Sequence, residues 1–425
     1  MSQKRKLTKT HIATAAALAF MGIASQASAD NVVYLTGSTA FRSTVYTALN
    51  SPGTVFDAGG AITRATRGSS NPGSANYMLF HGNINGTPTY IDCAWSGSEA
   101  GIASASDVTI DNGGLPLAGS PETWLKADGS VAMTDSTGNP TTAELEASSH
   151  GSDLAQADTS QAVSLTPRVS NTQTDLKDYG VEGIVTFTWV KNINSSPSQE
   201  WSALKNVTTA QINDFISAGF EQTAFFTGVA SQTNNDIYLV GRNKGSGTRA
   251  NTLADHHYGT TRTVTQFSIG GGVSGPTTGQ LLLNYEGNNG YESGGGVAAA
   301  LGIDGSCQQA DPFVAGHTGW FAVGYLGCSD AVAHGLTTSE WLTLDGVPES
   351  DGAIEEGQYS FWGHEHLYGR HNISGFQDTV GQKLFAGVQA TLGNAGSDPT
   401  AHSPGIALKF MHCEKSSDVA FPSRN

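Results

Sequence analysis

The chain has 425 residues, 21 Lys and Arg against 37 Asp and Glu, and a formal net charge of −16. That acidity excludes non-specific binding to nucleic acid, and no basic stripe interleaved with aromatics reverses it. Glycine is abundant, at 53 residues, yet Trp, Phe and Ile recur throughout, so the chain reads as two or three domains' worth of globular protein rich in turns.

Residues 1–29 read as a secretory leader. Lys4, Arg5, Lys6 and Lys9 form its cationic start, Ile12 to Ile23 its apolar segment, and Ala27-Ser28-Ala29 a small-x-small cleavage site. The apolar run is too short to span a bilayer, and no Cys follows it to carry a lipid. Export as a lipid-free protein beginning at Asp30 is expected, and a periplasm fits. Four cysteines in such a compartment can form disulfides. Cys307 with Cys328 is the nearer pair, which would leave Cys93 with Cys413. Sequence does not settle that connectivity.

From Asp30 the pattern is strand, polar turn, helix. Asn31 to Leu35 is a short strand, followed by Thr36-Gly-Ser-Thr-Ala-Phe-Arg42 and a helix to Leu49. An ordinary N-cap by Ser38 or Thr39 would explain this turn as well as a ligand would. Thr87 to Trp95 is extended and ends in Ser96-Gly-Ser-Glu-Ala-Gly101, with a helix after it. Residues 107–150 are polar, Gly/Pro-rich and weakly periodic, an excursion that covers a lobe or lies on the surface. Asp158 ends the run Asp153-Leu-Ala-Gln-Ala-Asp158; a turn aspartate is its commonest fate. Glu182 to Val190 is a long strand, and Thr208 to Ile216 a helix opened by a capping box, Thr208 with Gln211.

The most informative stretch is Arg242-Asn-Lys-Gly-Ser-Gly-Thr248. It lies between the apolar strand Asp236–Val240 and the helix beginning at Ala250. Two glycines permit positive φ and close backbone approach. Ser246 and Thr248 supply hydroxyls, and the free N–H groups of a helix start favour an anion. Arg242 adds a planar, permanently charged fork. It is not a Walker A loop, because Lys244 precedes the glycines. Later come an Ala-rich helix ending near Leu301, a buried strand Gly319–Leu326 and an amphipathic helix Phe376–Leu392. Strands alternating with helices predict an α/β fold with mostly parallel sheets.

Taken together, Gly37-Ser-Thr-Ala-Phe41, Gly97-Ser-Glu-Ala-Gly101, Asp153 to Asp158 and Arg242 to Thr248 resemble, in order and placement, the phosphate-binding proteins that serve ABC-type phosphate importers. Weaker echoes are Val207–Phe215 and Trp320–Tyr325. The resemblance implies a two-lobed periplasmic-binding-protein fold, with a mixed, mostly parallel sheet in each lobe and a ligand cleft between them. The lobes would be 30–178 with the insertion 107–150, then 179–312, then a return over 313–425. It further implies inorganic phosphate held by Thr39, Ala40, Phe41 and Ser98 from one lobe and Arg242, Ser246, Gly247 and Thr248 from the other. Asp158 would accept the proton of hydrogen phosphate. The implied partners are the importer's membrane subunits, and a monomer with no cofactor is expected. Three departures stand out: the long segment between Ser98 and Asp158, Lys244 at a position often acidic, and Arg249, which would contact the anion or cap a surface.

Other chemistry is poorly supported. His364-Glu-His366 and Asp255-His-His257 lack a third ligand at metal-binding spacing. Gly270–Gly275 is loop-like, and no Gly-x-Ser-x-Gly elbow appears with partners. No catalysis is expected. The competing readings are a binder of another oxyanion such as molybdate or sulfate, a phosphoester hydrolase, and a surface or matrix protein that kept the fold without a transport role.

Overall fold

The computed structural model describes residues 30–106, 122–134, 144–161, 164, 176–271, 281–303, 310–317, 319–337, 339–417, 420 and 422–424. The expected leader, Cys307 and most of Gly270–Gly275 lie outside these residues, as do 107–121 and 135–143 of the excursion. Among the described residues no helix is long and apolar enough to cross a membrane.

Strand β1 (Asn31–Gly37) leads through the 38–41 turn into helix α1 (Arg42–Leu49). Strands β2 (Thr63–Arg67), β3 (Tyr77–Ile84) and β4 (Thr87–Ala94) form an antiparallel meander, and helix α2 (Ser98–Ala105) follows. Strands β5 (Glu122–Leu125) and β6 (Leu145–His150) are a separate antiparallel pair. Strand β7 (Leu154–Ala157) lies beside β1, and β8 (Lys177–Lys191) is the longest strand. After β9 (Asn206–Val207) come helix α3 (Thr209–Ala218), β10 (Phe220–Gln222), β11 (Asn235–Val240), helix α4 (Gly247–Asp255), β12 (Gln266–Gly271), β13 (Leu281–Gly287) and helix α5 (Gly294–Leu301). Strand β14 (Gly319–Gly327), helix α6 (Cys328–Ala333), β15 (Trp341–Leu344), β16 (Trp362–Gly369) and helix α7 (Gly375–Ala395) complete the framework.

The strands run in the order β13-β12-β11-β14-β8-β16-β7-β1-β4-β3-β2. Strand β8 joins two halves. Its early residues pair with β16, from Lys177 opposite Gly369 to Thr186 opposite Trp362, and its late residues pair with β14, from Phe187 opposite Gly327 to Lys191 opposite Val323. The α/β architecture with a mixed sheet is as expected, but the parallel majority is not. Among the described strands, parallel pairs are confined to β1 with β4 and β7, β11 with β12 and β14, and the short β9 with β15; the other strand pairings are antiparallel. The division expected at residue 313 also moves. Strand β14 lies between β11 and β8, so the returning chain first completes the second half's sheet.

The excursion partly covers the first half, because Trp124 and Leu125 are fully buried and Leu125 joins a cluster with Ala65, Leu79 and Tyr90. The capping box at Thr208 forms as read. The expected Cys93–Cys413 bridge does not form. Cys93 is a free thiol buried in β4, and the Cys413 thiol donates to the Ile354 carbonyl at 3.4 Å. Cys328 is a free thiol at the start of α6.

Candidate anion-binding site

Four turns, read from distant parts of the chain, meet at one place. At the first, Gly37 takes φ +120°, where an added Cβ would overlap the carbonyl of Gln156, and the Ser38 N–H donates to that carbonyl at 2.9 Å. The end of β1 is thereby pressed onto the end of β7. Neither Ser38 nor Thr39 caps α1; its N-cap is Phe41, without a side-chain cap. Both hydroxyls are buried and unpartnered. Phe41 is fully buried in the core, and Ala40 is buried beside Gly327.

At the second turn, Gly97 takes φ +110°, and an added Cβ would stand 2.5 Å from the Gly245 oxygen. That oxygen accepts the first N–H groups of α2, from Glu99 at 3.1 Å and Ala100 at 3.3 Å. The start of α2 thus holds the loop after Arg242 through main-chain bonds rather than facing solvent. Ser98 donates through its hydroxyl to Asp158 Oδ1 at 2.5 Å and accepts the Asp158 N–H at 3.2 Å.

Asp158, just beyond β7, is 1 % exposed. Its Oδ2 accepts from the Thr248 hydroxyl at 3.3 Å, and its carbonyl accepts from Asn251 at 2.8 Å. An added Cβ on Gly247 would overlap Asp158 Oδ1 and lie 2.6 Å from Ser98 Cβ. Only glycine fits there. Ser246 caps α4, accepting the Arg249 N–H at 3.1 Å, while its own O–H stays available to donate.

Arg242 is 1 % exposed. Its Nη2 donates to the Glu292 carbonyl at 2.9 Å and its Nε to the Tyr291 carbonyl at 3.3 Å; Nη1 has no partner. Burial pulls its pKa down to about 10, against the opposing fields of Asp330 and Asp158. Asp330 and Arg42 escaped the sequence reading. Arg42, at the start of α1, donates to Asp330 at 3.0 Å and to Asn76 at 2.8 Å, and both ion-pair partners are buried. Arg42 adjoins the first turn and was legible by position. Asp330 sits 288 residues away and left no local signal. With Lys244 not acidic, Asp330 supplies the countercharge near Arg242. Arg249 does not cap a surface. It is buried and donates to the carbonyls of Arg242 at 3.2 Å and Asn288 at 3.0 Å, and to Asn288 Oδ1 at 2.5 Å, so it braces the loop from behind.

The structure thus brings Ser98, Asp158, Gly247 and Thr248 into direct contact. Ser246 lies against Gly97, and the first turn meets the end of β7 beside Asp158. Uncommitted donors at this place are Arg242 Nη1 and the hydroxyls of Ser38, Thr39 and Ser246. Among the described residues no cluster of His, Cys, Asp and Glu could hold a metal ion. Desolvated donors around one buried carboxylate suit a small oxyanion that carries a proton.

No protein-family model matches the chain, and no curated protein matches it. Solved structures resemble it distantly, among them three of phosphate-transport proteins. A Clostridium perfringens protein described as a phosphate ABC transporter substrate-binding protein, with bound phosphate, is 14% identical with TM-score 0.45, over 89% of this chain and 100% of its own. An ABC-type phosphate transport receptor from Vibrio cholerae is 11% identical with TM-score 0.39, over 86% and 98%. PstS from Borrelia burgdorferi is 10% identical with TM-score 0.34, over 86% and 98%. Likenesses at these scores are too remote to carry function, which rests on the contacts above.

Proposed function

We propose that the protein is an exported solute-binding receptor that captures inorganic phosphate and passes it to an ABC importer's membrane subunits, without catalysing a reaction. One observation carries this reading: Asp158 is fully buried, and Ser98, Gly247 and Thr248 close on it from two separate turns. A phosphate near neutral pH retains a proton that this carboxylate can accept; sulfate has none and meets a buried like charge instead. Arg242 Nη1, the hydroxyls of Thr39, Ser246 and Thr248, and the N–H groups near Ala40, Phe41 and Gly247 would surround the other oxygens.

Calorimetry on the mature protein with phosphate, sulfate and molybdate tests this directly. Phosphate should bind without competition from sulfate. Arg242→Ala should weaken it at least about 100-fold, as expected for loss of a buried charged donor. Asp158→Asn should gain tolerance of sulfate. Undiminished phosphate binding in Arg242→Ala defeats the site assignment.

A further inference from the structure

Capture as described uses Asp158 but not the acid behind it. Glu365, in β16, is 0 % exposed, and neither carboxyl oxygen meets hydrogen-bond geometry with any partner. Gly363, on the same face of the strand, abuts Asp158: an added Cβ would lie 3.1 Å from its carbonyl oxygen. The register slips here. Glu365 stands opposite Gly183 and His366 opposite Val181, so Glu182 is an extra residue in β8. Glu182 is also buried, with both oxygens unpartnered. It forms the inner wall of a cavity of about 250 Å³ whose outer side is Gln389, Gly393, Leu408 and Lys409.

The titratable groups about Glu365 are Asp158 beyond β7 and Glu182 on β8, both acids, and Ser38 approaches it from the β1–α1 turn. Burial first, then those two carboxyls, push its pKa well above the usual carboxylate range, and the Ser38 hydroxyl offsets this only in part. An ionised carboxylate placed there would be desolvated, without a cation, and repelled by Asp158.

Resting on the phosphate reading, we propose that Glu365 is a further positioning residue of the anion site. It stands as a neutral acid behind Ser38 and Asp158. Its O–H points toward the Ser38 oxygen, which frees the Ser38 hydrogen for the anion and keeps a second carboxylate charge out of that wall.

Two measurements decide it. Infrared difference spectra of ligand-free protein at about pH 7 should show a protonated-carboxyl band that Glu365→Gln removes. In calorimetry Glu365→Gln, neutral at every pH and still able to donate to Ser38 from its amide, serves as the pH-independent reference for wild type. On the alkaline side of neutrality, where phosphate remains a dianion, wild type should lose about tenfold more affinity than the variant as Glu365 ionises. Should Glu365→Gln fold poorly, Glu365→Met must show the same flat profile. A band unaffected by the substitution, parallel pH profiles, or collapse of neutral-pH binding in Glu365→Gln each overturn the proposal. A wild type that ignores phosphate defeats the receptor reading instead, and the infrared band still reports whether Glu365 is neutral.

Discussion

At the scale of single residues the site is decided by what Gly247 lacks. An added methyl would occupy the space of Asp158 Oδ1 and crowd Ser98. Gly247→Ala must therefore displace the carboxylate or the loop. The expected cost is about 1–3 kcal/mol of overpacking, read in urea denaturation, together with loss of phosphate binding in calorimetry. Normal affinity in that variant would mean that Asp158 and Gly247 are not a unit. These contacts were only partly legible. The strings Gly37-Ser-Thr, Gly97-Ser and Gly245-Ser-Gly-Thr announce turns because glycine and hydroxyl residues act locally. Asp330 and Glu365 gave no such sign: their meaning comes from partners that only the folded sheet supplies.

At the scale of elements, α4 carries the site at one end and a buried base at the other. His256 follows its last turn. Its Nδ1 bonds the Thr252 carbonyl at 2.8 Å, and its ring packs edge-on to Trp189 and Phe361. Burial pushes its pKa down to about 4, whereas an unfolded histidine titrates near about 6.5. The unfolded chain alone takes a proton as pH falls from about 6.5 to about 4, so stability drops across that window, by up to about 3 kcal/mol. Denaturation at a series of pH values should show a shallower decline in His256→Gln, whose amide can still donate to Thr252. Identical declines would assign the acid sensitivity to other groups. Element by element, the strand–turn–helix junctions were readable in sequence, but the pairing directions were not. Asn85-Gly86, both at positive φ, is the two-residue hairpin turn between β3 and β4; this signal was present and passed over, and it makes that edge antiparallel. The bulge at Glu182 has no sequence signature, because register depends on β16, far along the chain.

At the scale of the whole molecule, the first and last parts are tied through the Arg42–Asp330 pair and through β8. Both charges of the pair are buried, so removal of one strands the other. Arg42→Met should cost about 3–5 kcal/mol, and the double variant Arg42→Met with Asp330→Asn clearly less than the sum of the two single changes. Additive losses would show that the ions do not sense each other. Chain order alone placed β14 with the final segment; the sheet places it with β11, because a strand joins whichever edge its hydrogen bonds complete.

The close approach of glycine backbones at Gly97, Gly101 and Gly247 has a practical corollary for engineering ligand choice. At Gly97 and Gly101 the abutting atoms are main chain, of Gly245 and Gly37, which no codon change can trim away. Libraries that randomise these positions would mostly return collapsed proteins. Variety in cargo would have to come from shortening Ser98, Thr39 or Thr248, whose hydroxyls are the removable part of the lining.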